Sequence, residues 1–157
     1  MNPKESLLNL LAFLKAIYFL HWSNHWRVEG NPSYGDHLLF ERLYGLLPSE
    51  IDGLAEKIIA MFGSDAISMS QLAATELSVH QQLEQEPDLH KRAEWAEKEL
   101  QRLVKDIFDN LEVEEALPLG LNDYLAALAN SHDTHVYLLQ QRLRPEGRVA
   151  GRHLLKK

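Results

Sequence analysis

Apolar positions along this chain recur three and four residues apart, and no run alternates with period two. A first apolar run covers about residues 4–29 behind Pro3, whose fixed φ suits a helix's first turn. Gly30, Asn31, Pro32 and Ser33 read as a loop. A second helical pattern runs from about 34 to 62 and stops at Gly63. A less regular stretch, 64–86, holds one short helical pattern around Ser70–Leu77. Pro87 opens a third helix, about 88–115, rich in Glu, Lys, Arg and Leu. Pro118 and Gly120 break it, and a fourth helix, about 121–143, ends before Pro145. Valine, isoleucine and threonine are scarce, so no strand is predicted. Four long helices in one small domain predict an all-α four-helix bundle over residues 1–144, followed by a tail, 145–157. The connection after the second helix is long enough to cross the length of the bundle.

Composition narrows the chemistry. The 157 residues are one domain's worth, with 45% apolar and 25% charged positions, an ordinary globular balance. There is no cysteine, which excludes disulfides, thiolate zinc sites, iron–sulfur clusters and cysteine nucleophiles, and fits a reducing, cytoplasmic setting. The apolar segment Leu7–Trp22 carries Lys15 and Asn9 and is followed by no small-x-small cleavage site. It reads as a buried helix, not as a signal peptide or a membrane span. Net charge is −7, which argues against general nucleic-acid binding. That charge is uneven. Residues 142–157 set six cations (Arg142, Arg144, Arg148, Arg152, Lys156, Lys157) against Glu146 alone, a local +5 that leaves −12 on the remainder.

The second helix carries an acidic ligand set. At about 100° per residue, with His37 at zero, Glu41 falls near 40°, Asp52 near 60° and Glu56 near 100°. The apolar stripe, from Phe40 to Phe62, occupies roughly 240° to 340°. Arg42, Glu50 and Lys57 face the remaining, solvated side. Glu41 and Asp52 are eleven residues apart, about 16 Å along the axis, too far for one metal centre within one chain. The pairs His37/Glu41 and Asp52/Glu56 each span one turn. They can meet if a second copy of the helix packs antiparallel across a two-fold axis near Leu46 and Leu47, where Gly45 permits close approach. A solvated face with chance acids shows the same i,i+4 spacing. Histidine with carboxylates suits iron, manganese or zinc rather than calcium.

The run His25-Trp26-Arg27-Val28-Glu29-Gly30, with Tyr34, His37, Phe40, Glu41, Tyr44, Ile51-Asp52, Ala55 and Glu56-Lys57, resembles the Dps family, the DNA-binding proteins from starved cells, also called mini-ferritins. The resemblance is strongest over residues 18–62. It implies a ferritin-like four-helix bundle with a short helix in the crossover between helices two and three. It implies a ferroxidase centre in which His25, His37 and Glu41 come from one subunit and Asp52 and Glu56 from its two-fold mate, with Glu56 bridging. Such a di-iron centre binds Fe(II) and oxidises it, with hydrogen peroxide preferred over dioxygen. Twelve subunits, built from two-fold dimers, enclose the ferric mineral and protect DNA under oxidative stress. Three features depart from the family pattern. Glu41 stands where aspartate is common, Pro48 lies mid-helix where it should kink the chain, and only Lys4 precedes the first helix, so a lysine-rich N-terminal arm is missing.

Other residues carry two readings each. His21, one turn before His25, reads as an outer-shell group, a third nitrogen ligand or, the favoured reading, a partly buried structural histidine. Trp22 and Trp26 read as core or interface aromatics; the resemblance adds, for Trp26, interception of oxidising radicals. His132 and His135 lie at i,i+3 with no carboxylate in a recognised pattern, which favours structural roles. Glu112, Glu114, Glu115 and Asp123 flank the last interhelical turn. The resemblance makes Asp123 and Glu115 lining residues of a three-fold iron pore; an ordinary acidic helix end has the same composition. Arg144, Arg148, Arg152, Lys156 and Lys157 are candidate DNA contacts, which would make the protein nucleoid-associated. A rival function is a DNA-compacting structural protein with an idle or zinc-occupied metal site. The full ligand set argues against a third reading, a helical assembly protein without metal.

Overall fold

The computed structural model describes residues 2–113 and 117–145. Over these residues the chain forms α1 (Pro3–Arg27), α2 (Ser33–Gly45), α3 (Leu47–Phe62), a single 3-10 turn (Ser64–Ala66), α4 (Met69–Leu83), α5 (Leu89–Val113) and α6 (Leu119–Leu143), with no strand among them. Four rods make the bundle: α1, the α2–α3 pair, α5 and α6. α1 packs against α2, α3, α4 and α5, and α5 packs along α6. α4 lies in the crossover, clasped to α1 where Lys15 Nζ meets Glu76 Oε2 at 2.7 Å. That pairing explains a lysine inside an apolar run. α1 is long and apolar enough to cross a membrane by length and composition, but most of that stretch is buried inside the bundle.

Local sequence sets the ends. Asn2 Oδ1 accepts from the Lys4 amide, and Pro3 fills the first helical turn. Asp88 Oδ1 accepts from the amides of His90 and Lys91 and so caps α5. Gly63 ends α3 at φ +92°, a conformation that favours glycine.

The second predicted helix is two helices. Pro48 has no N–H to give, and the ladder is interrupted at Leu46, whose carbonyl instead accepts from Ser49 and Glu50 at 3.1 and 3.2 Å. Pro48 thereby sits in the first turn of α3, where proline is tolerated. The wheel drawn through an unbroken helix fails here: Glu50 and Lys57, assigned to the solvated side, are half-buried, and Glu50 faces α6.

One half of the core is apolar throughout. Leu7, Leu10, Leu14 and Ile17 of α1 meet Leu54 and Ile58 of α3, Leu100, Val104 and Ile107 of α5, and Leu121, Leu125 and Leu128 of α6. Farther along the same stripes the residues turn polar. α1 continues into His21 and Asn24, α5 places Glu97 between Ala93 and Leu100, and α6 continues into His132 and His135, all buried.

Candidate functional site

Two groups of metal-competent side chains stand apart in this fold. The first joins the end of α1 to the start of α2. His25 Nδ1 lies 2.9 Å from the His37 carbonyl, and His37 Nδ1 lies 2.9 Å from the His25 carbonyl. A carbonyl only accepts, so both Nδ1 atoms carry the proton. In the neutral ring that leaves both Nε2 lone pairs unprotonated. The rings stack with centroids 3.6 Å apart and planes 24° from parallel, and the Tyr44 ring stands edge-on against His25 at 5.4 Å. Two nitrogen donors are thus oriented before any metal arrives, by the same kind of hydrogen bond that orients metal-bound histidines elsewhere. Glu41, Asp52 and Glu56 are exposed. Within one chain no ligand cluster of three or more among the described residues includes them.

The start of α2 is anchored from the far side. Arg142 of α6 donates to both oxygens of Asp36, Nε to Oδ1 at 2.6 Å and Nη2 to Oδ2 at 2.9 Å, and His90 Nε2 lies 3.2 Å from Oδ2. Burial alone would raise the Asp36 pKa. The Arg142 guanidinium and His90 outweigh it and hold the carboxyl below its ordinary value.

The second group lies inside the bundle. Glu97, fully buried, is met by three imidazoles: His21 Nε2 at 2.7 Å and His135 Nδ1 at 3.2 Å on Oε1, and His132 Nδ1 at 2.5 Å on Oε2. His132 Nε2 reaches Glu50 Oε2 at 3.1 Å. Both nitrogens of His132 therefore face carboxylate oxygens, which suits the imidazolium. Burial disfavours that charge, but Glu97 and the bonds from Glu50 and Glu97 raise its pKa to about 9. Glu97 is held well below the carboxylate range against its burial, chiefly by His132, whereas burial pushes His21 down. One donor atom from each of Glu97, His132 and His135 lies within 4.8 Å of the others, so this group is able to hold a metal ion.

No family model and no curated sequence matches the chain. Solved structures do. A Dps protein from Vibrio cholerae O1, described as a member of a broad superfamily of ferritin-like diiron-carboxylate proteins, superposes with a TM-score of 0.75 at 22% identity, over 90% of this chain and 89% of that one. Dps from Thermosynechococcus elongatus gives 0.75 at 18% identity, over 95% and 97%. The chain has the Dps fold.

On this Dps fold the histidine pair joins the two elements that the sequence nominated, while the carboxylates of α3 stay on the surface. Trp26 is more than half exposed, in edge contact with Trp22 at 4.8 Å and with Phe19 at 6.3 Å, so it is not a core aromatic. Asp123 and Arg144 are exposed. Glu115, Arg148, Arg152, Lys156 and Lys157 lie outside the described residues. The structural role favoured for His132 and His135 was argued without Glu97, which sits in a helix rich in Glu, Lys and Arg and was not singled out. A signal was present. In α6, Leu121, Leu125, Leu128, His132, His135 and Leu139 are spaced by alternating fours and threes, so both histidines occupy core positions. His21 holds such a position in α1 and Glu97 in α5.

Proposed function

We propose that this protein is a mini-ferritin: it binds Fe(II), oxidises it with hydrogen peroxide, and retains ferric mineral within a closed oligomer, a dodecamer of two-fold dimers. The observation that carries the reading is the His25/His37 pair. In the neutral rings its two Nε2 atoms are free acceptors at the surface of a Dps fold, and Asp52 and Glu56 are exposed farther along, on α3. In the dimer, His25, His37 and Glu41 of one subunit face Asp52 and Glu56 of the partner subunit. Neutral imidazoles and carboxylates supply the nitrogen and oxygen donors that ferrous iron accepts. The negative charge of the acids favours the ferric product still more. Two ferrous ions give one electron each to one peroxide, which takes up two protons and leaves as two waters. No hydroxyl radical is released, and DNA is protected. The protein works in the cytoplasm.

The test is anaerobic addition of Fe(II) to the assembled protein, then peroxide, with near-ultraviolet absorbance recorded. Rapid growth of ferric absorbance at two iron per peroxide is expected. A rate equal to that of iron in buffer would end the proposal.

A further inference from the structure

We propose that Glu97, His132 and His135 form a second, mononuclear centre, a two-histidine, one-carboxylate site for a divalent transition ion buried within each single bundle. This goes beyond the oxidation site at the subunit surface and does not depend on it.

The donors converge. His132 and His135 are one turn apart on α6 and both turn Nδ1 toward the Glu97 carboxylate on α5, at 2.5 and 3.2 Å. An ion placed among them would replace hydrogen bonds with coordination at about 2.0–2.2 Å per donor; His132 would release its Nδ1 proton to solvent and keep the one on Nε2, and the His135 proton would move to its own Nε2. Two histidines and one carboxylate leave coordination positions open, the donor set associated with Fe(II). An all-nitrogen-and-oxygen set without thiolate also admits manganese and zinc.

The supporting shell is already in place. A ligating histidine characteristically gives its second N–H to a carboxylate, and His132 Nε2 faces Glu50 Oε2 at 3.1 Å. A ligating carboxylate is itself hydrogen-bonded, and His21 Nε2 holds Glu97 Oε1 at 2.7 Å. Glu97 and Glu50 together balance a dication.

One ligand borders a surface cleft. A cleft of ≈ 380 Å³ runs between the α2–α3 break and α6, lined by Arg42, Gly45, Leu46, Asn130 and Thr134, and it reaches His135. The interruption at Leu46 that accommodates Pro48 thus borders the cleft on which His135 opens.

The set fits one ion rather than two. Two-metal carboxylate bundles of ferritin type carry Glu-x-x-His on two helices. Here the residue three past Glu50 is Gly53, where an added Cβ would stand 3.4 Å from the Tyr124 ring, and α1 offers His21 instead of an acid. A purely structural role explains the cluster poorly. Buried ion pairs are often no more stabilising than well-packed apolar residues of the same volume, and the neighbouring turns show that this core takes leucine readily.

The test uses the full-length assembled protein carrying Asp52→Ala and Glu56→Ala, with Co(II) alone as the probe. About one Co(II) per chain should remain after gel filtration, with a visible ligand-field band. Adding His135→Ala should abolish both. Adding Glu50→Gln instead should keep the stoichiometry and weaken binding about 10- to 100-fold. No Co(II) on the Asp52→Ala/Glu56→Ala protein overturns the proposal, as does unchanged affinity after His135→Ala. Should His135→Ala not assemble, unchanged affinity in Glu50→Gln overturns it alone. The surface site is judged separately, by iron oxidation: oxidation surviving Asp52→Ala/Glu56→Ala counts against that site and leaves the Co(II) result to decide this one.

Discussion

Asp36→Asn isolates the clamp that holds the start of α2. The wild-type pair is bidentate, with Asp36 5% and Arg142 37% exposed. Full burial would put the loss at about 3–5 kcal/mol. The partly solvated guanidinium screens the charge, and asparagine keeps one acceptor oxygen. The figure for a charged hydrogen bond, about 1.5–3 kcal/mol, is therefore the better measure. The contact is local, so it should be read locally. Amides of Ser33–Gly45 whose opening parts the clamp should exchange about 10- to 150-fold faster in the variant. pH supplies an independent check. The folded-state pKa of Asp36 lies below its ordinary value, so the clamp's contribution is complete above the unfolded value of about 3.9 and disappears as pH falls through the folded one. The exchange ratio of variant to wild type should hold steady from neutrality to about pH 5 and shrink below about pH 4. Hydrogen exchange followed by mass spectrometry measures both. A ratio near one at pH 7, or a large ratio undiminished in acid, would refute the argument. Because His37 follows Asp36 directly, the variant should also oxidise iron more slowly.

Asp52→Ala with Glu56→Ala should abolish rapid iron oxidation and leave the helical content intact, since both side chains are exposed; circular dichroism and stopped-flow absorbance check the two halves. Native mass measurement should show about twelve chains, and a monomer that oxidised iron quickly would contradict a site shared between subunits. Deleting residues 145–157 should remove DNA retardation at low salt and spare oxidation. The retardation itself should weaken steeply as salt rises, because each neutralised phosphate releases counterions.

Helix positions were legible in the sequence because proline, glycine and the three-four spacing mark them locally. The break at Leu46 was visible only as an expected kink at Pro48, since the chain between two breakers can bend or restart and packing decides which. The surface ligands were legible from their spacing and a family resemblance. The buried group was not, for a physical reason. Its members come from α1, α3, α5 and α6, and no short segment holds more than two. Glu97 is surrounded in sequence by Glu94, Lys98 and Glu99, which do face solvent to varying degrees. Only the helix period separates it from them. Reading each core stripe for its polar interruptions, and then asking whether interruptions on different helices share a level, would have brought His21, Glu97, His132 and His135 together.

The reciprocal bond between His25 and His37 has a consequence for how such a sequence can drift. Where the group that orients a ligand is another side chain, it can be lost by mutation while the ligand survives. Here each ring is oriented by the other residue's carbonyl, which no substitution except a backbone rearrangement removes. Loss of either imidazole takes away one ligand, one stacking face and one of the two hydrogen bonds joining the helices. The remaining histidine keeps its own bond to a carbonyl but is left as a single nitrogen ligand. Selection should therefore act on the two positions as a unit, keeping both histidines or neither.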